Sequence, residues 1–481
     1  MTGLGPDKTL VHTHKPGSIR ELLAIALPMV VSQGCDTVMI FTDRLFLSKL
    51  GALQMNAAFS GGLACFTMMT FFWGLIGYST ALVAQNLGAK RPEKCGVATT
   101  QAMLIVLAAY PLILLIRPLV HWAFHRVGVH PEQLGLQIAY FNILVYATVV
   151  GLFRQCLSSF FSGIGRTRVV MVASLTAMVV NVGANYVLIF GKFGVPALGI
   201  RGAACGTIMG GVCGLIVLLV AYLSPANRRA FQIRQTIHFH WDTMRTLCRF
   251  GYPAGIEMFL NVLAFNGLIQ SLHRHGPVTA TATTIMFNWN LVSFVPLIGV
   301  QIGVMSLVGR YMGARDPDTA QRAAFAGLKT GWAYSSIILV LFVFFPRQLV
   351  GVFASGDHAL YQQATPLALY MLRMAALYIM VEAVVTVFSG ALRGAGDTFW
   401  AMSISVSMHW LLLGVLVTVL YGLDQSPRVA WTAVVVTFLA CSSLFYWRFR
   451  SGKWRSIQVV PTPVESWALD HDYDFHEPRE L

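Results

Sequence analysis

Charge is what this sequence has least of. Only 11% of its 481 residues are Asp, Glu, Lys or Arg, and only 20 are acidic, whereas soluble domains average about 25% charged residues. With 56% hydrophobic residues and a mean hydropathy of +0.65, a water-soluble globule of this length could not hide its apolar surface. The eight cysteines are scattered, most of them inside apolar runs (Cys65, Cys156, Cys205, Cys213, Cys441). They have no metal-ligand spacing and imply no disulfide framework. No Walker motif, GxSxG, HExxH or CxxC is present, so the usual signatures of nucleotide, serine, zinc and thiol chemistry are missing. The reading is not an enzyme, with no metal and no organic cofactor. The opening "MTGLGPDKTLVHTHKPGSIR" lacks a cleavable leader pattern. The alternating ten-residue segments of a membrane β-barrel are lacking too.

Long apolar runs are present instead. Twelve have cores near 22–42, 56–84, 97–116, 135–160, 169–190, 202–223, 248–271, 279–309, 323–345, 364–390, 399–421 and 427–446. About 20 residues of helix cross ~30 Å of hydrocarbon. The fold expected is an all-α polytopic membrane protein of twelve transmembrane helices. The net charge of +14 does not point to nucleic acid, because the basic residues form no single patch. They punctuate the ends of the runs, in "AKRPEK" (89–94), in Arg228, Arg229, Arg234 and Arg245, in "ARDPDTAQR" (314–322) and in "WRFRSGKWR" (447–455). Lys/Arg bias of this kind places both termini in the cytoplasm.

The long polar stretch 224–247 divides the runs six and six. A shift of 225 residues places Pro28 on Pro253, Lys49 on Arg274, Gly51 on Gly276, Ala57 on Ala282, Gly74 on Gly299, and "GAKRP" (88–92) on "GARDP" (313–317) without a gap. Later, "FFSGIGRT" (160–167) resembles "VFSGALRGAGDT" (387–398). An even number of helices per half makes this a parallel repeat, an arrangement that puts a transport site near the midplane between halves. The expected division is an N-terminal segment (1–20), a first six-helix lobe (21–223), a cytoplasmic linker (224–247), a pseudo-symmetric second lobe (248–447) and a cytoplasmic tail (448–481).

Four acids lie well inside the runs: Asp36, Asp43, Glu257 and Glu382. An ionised Asp at a bilayer centre costs roughly 2.5–3.5 kcal/mol on insertion scales, so such residues face a cavity or a partner. Asp36 and Asp43 are seven apart and share a helix face with Gln33, about 10.5 Å separating them. Asp43 precedes Arg44, so pairing at the interface is an alternative for it. Glu257 and Asn261 share a face, and the repeat puts Asn261 on Asp36 and Leu268 on Asp43. Tyr378 lies one turn before Glu382, where a phenol can donate to a carboxylate. Asn181 and Asn185 are also one turn apart; helix–helix hydrogen bonding is the plainer reading of that pair. His409 titrates near neutrality in water, or simply packs. The acidic stretch "LDHDYDFHEPREL" (469–481) reads as disordered.

The stretches "LPMVVSQGCDTVMIFTDRLFLSKLGALQMNAA", "TALVAQNLGAKRPEK", "NVGANYVLIFGKFGVPALGIRGAA", "SLVGRYMGARDP" and "SGALRGAGDT" resemble the multidrug and toxic compound extrusion (MATE) transporters over about residues 20 to 450. The resemblance implies two six-helix lobes in a V. It implies a secondary antiporter that exports amphipathic organic cations by alternating access in exchange for H+ or Na+. Asp43 matches the first-helix aspartate of that family, Asn181 and Asn185 its fifth-helix pair, and Glu382 with Tyr378 its acid and aromatic before the "SGALRG" loop. Asn261 stands where one branch of the family has an acid, and Glu257, one turn away, is the substitute considered. The expected setting is a monomer in the lipid bilayer of a bacterial inner membrane, acting on small molecules. The alternative is a flippase for lipids or lipid-linked oligosaccharides, whose cavity would be basic; Arg154 and Arg373, inside apolar runs, are the residues that favour it.

Overall fold

The computed structural model describes residues 15–126, 131–353 and 358–460. Its helices are α1 (Ile19–Ser48), α2 (Ala52–Gly77), α3 (Ser79–Gly88), α4 (Pro92–Arg126), α5 (Pro131–Tyr146), α6 (Thr148–Gly163), α7 (Thr167–Phe190), α8 (Ile200–Tyr222), α9 (Pro225–Ala230), α10 (Trp241–Arg274), α11 (Pro277–Gly313), α12 (Pro317–Phe344), α13 (Pro346–Gly351), α14 (His358–Ala395), α15 (Thr398–Val417) and α16 (Pro427–Arg450). Many begin on proline, whose fixed φ and missing N–H suit a first helical position. Side-chain caps assist. Ser18 accepts from the Glu21 N–H, Asp316 from the Thr319 N–H and Ser426 from the Val429 N–H.

Among the described residues, eleven helical stretches are long and apolar enough to cross a membrane, and the bent pair α5–α6 makes the twelfth. The fourth apolar run, near 135–160, is not one straight helix. It breaks by 45° between Tyr146 and Thr148, where the Thr148 hydroxyl bonds back to the Val145 carbonyl at 2.8 Å and competes with the helical ladder.

The internal repeat is visible in the backbone. Gly51 and Gly276 share φ of 132° and 134°, and Lys90 and Arg315 share φ of 57° and 61°. The two lobes therefore turn at the same register positions, including one, Lys90 and Arg315, where a side chain is held left-handed.

Among the described residues the lobes meet towards one end. Two apolar clusters mix residues from both. One brings Leu247 and Met305 to Leu75, Tyr78 and Phe161. The other brings Leu22, Ile25 and Ala26 to Val300, Val304 and Leu307. Both lie towards the basic loops. At the opposite end, among the described residues, each lobe packs on itself, around Leu47, Ala57, Tyr140 and Ile189 in the first and around Leu272, Met286, Met371 and Trp431 in the second. The molecule is a V, closed at the basic end and open at the other.

Reciprocal contacts seal the closed end. A Cβ added at Gly88 would lie 1.9 Å from the Arg310 carbonyl oxygen, and one added at Gly313 would lie 2.0 Å from the Gln85 carbonyl oxygen. Residues 310 and 313 are 85 and 88 shifted by the repeat, so the lobes meet through the same surface on each side. Hydrogen bonds cross the seam from Gln85 Nε2 to the Gly394 carbonyl (2.8 Å), from Ser306 Oγ to the Ser162 carbonyl (2.7 Å) and from the Tyr311 hydroxyl to the Glu21 carboxylate (2.7 and 2.8 Å).

The linker is folded, not a free tether. After α9, Phe231 and Ile233 insert into the first lobe's core, and α10 starts at Trp241, earlier than the boundary at 248. The chain after α16 also docks. Residues 451–460 form a strap in which Trp454 is buried and stacks on Phe449 (4.9 Å). Arg455 of this strap reaches Gln321 and Asp318, and Val460 accepts from Arg315 at 3.2 Å. The acidic stretch 469–481 and residues 1–14 lie outside the described residues.

Candidate functional site

The four intramembrane acids separate into two kinds. Asp36 receives the Arg154 guanidinium at 2.5 Å, and the same Arg154 nitrogen lies 3.3 Å from Ser174 Oγ, itself bonded to Ser32. Glu257, deeply buried, receives Arg393 at 2.7 Å. Asp43 and Glu382 have no such partner: among the described residues neither forms an ion pair within 4.0 Å.

Asp43 projects from α1 between α7 and α8. Asn185 donates to it through Nδ2, and the Thr207 hydroxyl stands 3.0 Å from its second oxygen. That hydroxyl is equally 3.0 Å from the Ala203 carbonyl, so its single proton serves one acceptor at a time. Asn181 Nδ2 closes the set at 3.4 Å from Thr207. Neutral donors hold the carboxylate, and Arg44 next to it is turned instead over the Phe59 ring at 4.9 Å. Both asparagines are fully buried, which their polarity would forbid without these bonds. The pair does link helices, as its plainer reading held, and it also touches the acid.

Glu382 lines a cavity of ≈ 110 Å³ in the second lobe, with Tyr378, Asn290, His409, Phe265 and Trp431 among its walls. Glu382 Oε2, Asn290 Nδ2 and Trp431 Nε1 are buried there without a protein partner. Buried polar atoms are nearly always paired, so the acid, amide and indole that line this one small space set it apart from the apolar packing around it. The rest of the lining is aromatic and aliphatic. Tyr378 stands edge-on to Phe438 at 5.5 Å. The His409 Nδ1–H donates to the Ser405 carbonyl at 2.8 Å, leaving Nε2 as its other polar atom. Leu268, the repeat counterpart of Asp43, also lines this cavity. Of the four intramembrane acids, one in each lobe thus has no ion pair among the described residues, and a different helix contributes it in each.

The family model described as MatE matches residues 28–187 and again 253–420. The chain belongs to the MatE family. The two matches begin at Pro28 and Pro253, the register of the internal repeat. "Probable multidrug resistance protein NorM" of Shewanella oneidensis is 25% identical over 458 residues, covering 91% of this chain and 95% of that protein. "Multidrug resistance protein MdtK" of Yersinia pseudotuberculosis is 26% identical over 444 residues, covering 90% and 95%. A solved structure described as MATE in complex with MaL6 superposes with a TM-score of 0.85 at 16% identity, covering 94% of this chain and all of that one. Another, described as an outward-facing conformation of a multidrug resistance MATE family transporter, gives 0.83 at 15% identity, with 94% and 100% covered. At such identities these two structures speak for the fold.

Within this MatE chain the remaining expected positions fall elsewhere. Asn261 donates to Ser405 Oγ at 2.8 Å. Glu257, considered as its acidic substitute, is not among the cavity walls; it is held against Arg393 at the end of α14. Gln33 accepts from the Thr37 hydroxyl through its backbone carbonyl (3.1 Å) and is not among the walls of the Glu382 cavity. Arg154 is engaged by Asp36 and Arg373 is exposed, so neither makes a basic cavity. Sequence reasoning missed Thr207, the one hydroxyl in "GAACGTIMGGVCG", and Asn290 in "MFNWNLV". Nothing in either stretch singled the residue out without knowing which helix faces which.

Proposed function

We propose that this chain is a secondary antiporter that exports amphipathic organic cations in exchange for H+ or Na+ by alternating access of its two lobes. The observation that carries the reading is the sorting of the intramembrane acids: Asp36 and Glu257 are neutralised by arginines, while Asp43 and Glu382 are not. An unpaired carboxylate in a desolvated site attracts a cation strongly when charged and weakly when protonated or occupied by Na+. Coupling ion and substrate then compete for one charge, and such coupling is reciprocal. The aromatic walls around Glu382 suit an organic cation, which gains from ring faces as well as from the carboxylate. The cavity takes a headgroup; the remainder of a drug-sized molecule would lie in the cleft between the lobes. The names of the NorM and MdtK relatives support multidrug export. Basic loops at the closed end support both termini in the cytoplasm of a bacterial inner-membrane protein acting as a monomer, with the V open outward.

The test is efflux of a fluorescent organic cation from reconstituted vesicles, with Na+ and proton gradients imposed separately. Asp43→Asn and Glu382→Gln should each abolish gradient-driven movement. Wild-type rates in both variants, or indifference to both gradients, would refute the proposal.

A further inference from the structure

The linker has two sides of opposite character. On one, Phe231, Ile233 and Thr236 are buried, and Gln101 stitches the next stretch to α4, donating to the His238 carbonyl at 2.9 Å and accepting from the His240 N–H at 3.2 Å. On the other, Ile237, Phe239 and Trp241 are 71, 57 and 64% exposed. These three stand at alternate positions, and His238 between the first two is exposed as well. The Phe239 and Trp241 rings stand 6.1 Å apart, and the intervening His238 and His240 rings pair separately at 6.2 Å, with His240 Nε2 3.3 Å from Lys94 Nζ. The aromatic pair therefore turns away from the lobe that holds its backbone. Along the same stretch of chain Arg229, Arg234, Arg245 and Arg249 are exposed, and Asp242 is the one acid between residues 225 and 256.

We infer that this strip docks on the bilayer surface and is selective for anionic phospholipid headgroups. Large apolar side chains this exposed mark an interaction face. Trp and Phe beside arginines have the composition of an interfacial anchor. The occupant follows from charge and continuity. Trp241 is the first residue of a helix that itself crosses the membrane, and the excess of arginine is complementary to acidic lipid. Because the linker's other side is fixed into the first lobe while α10 belongs to the second, the anchor sets both lobes against one leaflet. Which leaflet this is rests on the orientation proposed above; contact with lipid does not.

The full chain, labelled with 5-fluorotryptophan and placed in nanodiscs, tests this by fluorine NMR, with Trp241→Phe identifying the Trp241 resonance. In discs containing phosphatidylglycerol, a spin label on the lipid chains should broaden that resonance and an aqueous gadolinium chelate should not. Broadening by the chelate alone would overturn the inference and leave the strip open to a protein partner. The surface variant Arg229→Gln/Arg234→Gln/Arg245→Gln should lower the lipid-borne broadening in phosphatidylglycerol to the level seen in pure phosphatidylcholine. Equal broadening in the two lipids for the wild-type chain would overturn the claim of anionic selectivity.

Discussion

Replacing Gly88 or Gly313 by alanine should pry open the closed end of the V. The new methyl would lie 1.9 Å from the Arg310 carbonyl oxygen in one case and 2.0 Å from the Gln85 carbonyl oxygen in the other. Ordinary contact needs about 3.5 Å, so the facing helices must part by roughly 1.5 Å. The obstructing atoms are backbone, and no rotamer change relieves them. Overpacking of this kind costs roughly 1–3 kcal/mol, and 1–2 kcal/mol already changes a two-state ratio by about 5- to 30-fold. The two sites touch the same pair of helices within one turn, so separation forced by one substitution relieves the other. The double variant should therefore shift the equilibrium little more than either single one. Distances between spin labels at the basic ends of α4 and α12, measured by pulsed EPR in nanodiscs, read the shift directly. Gly414→Ala, with no atom within 4 Å of its added Cβ, is the control. An unchanged short-distance population in Gly88→Ala would refute the reasoning, as would strictly additive effects of the two substitutions.

Glu257→Gln should cost stability more than coupling: it strands Arg393 and removes a buried pair member, worth about 3–5 kcal/mol, visible as a lower Tm with gradient-driven efflux retained. Asp36→Asn breaks a pair whose aspartate is 38% exposed, so its loss should be about 1 kcal/mol or less by the same melt. Trp454→Ala, emptying a fully packed site in the strap, should cost about 3–5 kcal/mol and lengthen the same spin-label distances. At the start of α12, hydrogen bonds from the Thr319 side chain and N–H hold Asp316 below the usual carboxylate value of 3.8. A depressed folded-state value means the cap stabilises fully above that value and is lost as pH falls through the lower one. Asp316→Ala should therefore cost about 1 kcal/mol at neutral pH and nothing at strongly acidic pH, as followed by denaturant melts.

Membrane spans were legible because twenty-residue apolar runs have few other uses, and the repeat because its prolines and turn glycines repeat without a gap. Two of those glycines, Gly74 and Gly88, lie on the seam against Ala254 and Arg310, while Gly51 has no neighbour within 4 Å of an added Cβ and serves its turn. Pairing was not legible. Asp36 and Arg154 are 118 residues apart, and Glu257 and Arg393 are separated further, so no local pattern distinguished a neutralised acid from a bare one. Asp36 and Asp43 do lie on one helix, but what each meets depends on α6, α7 and α8, which the sequence of α1 does not describe. The same limit hid Thr207 and Asn290. The docking of the linker was not legible for another reason: its polar composition does not single out Phe231, Ile233 and Thr236, the side chains that are buried.

The strap at residues 451–460 is among the last parts of the described chain to leave a ribosome, yet it rests on segments made much earlier, Gln321 and Arg315 among them. Both lobes can be threaded into the membrane and joined along their glycine seam before it exists. Until then the closed end lacks its outer brace. A newly made chain thus lacks the stacking of Trp454 on Phe449 and the reach of Arg455 to Asp318 and Gln321, and only the last stretch of synthesis supplies them.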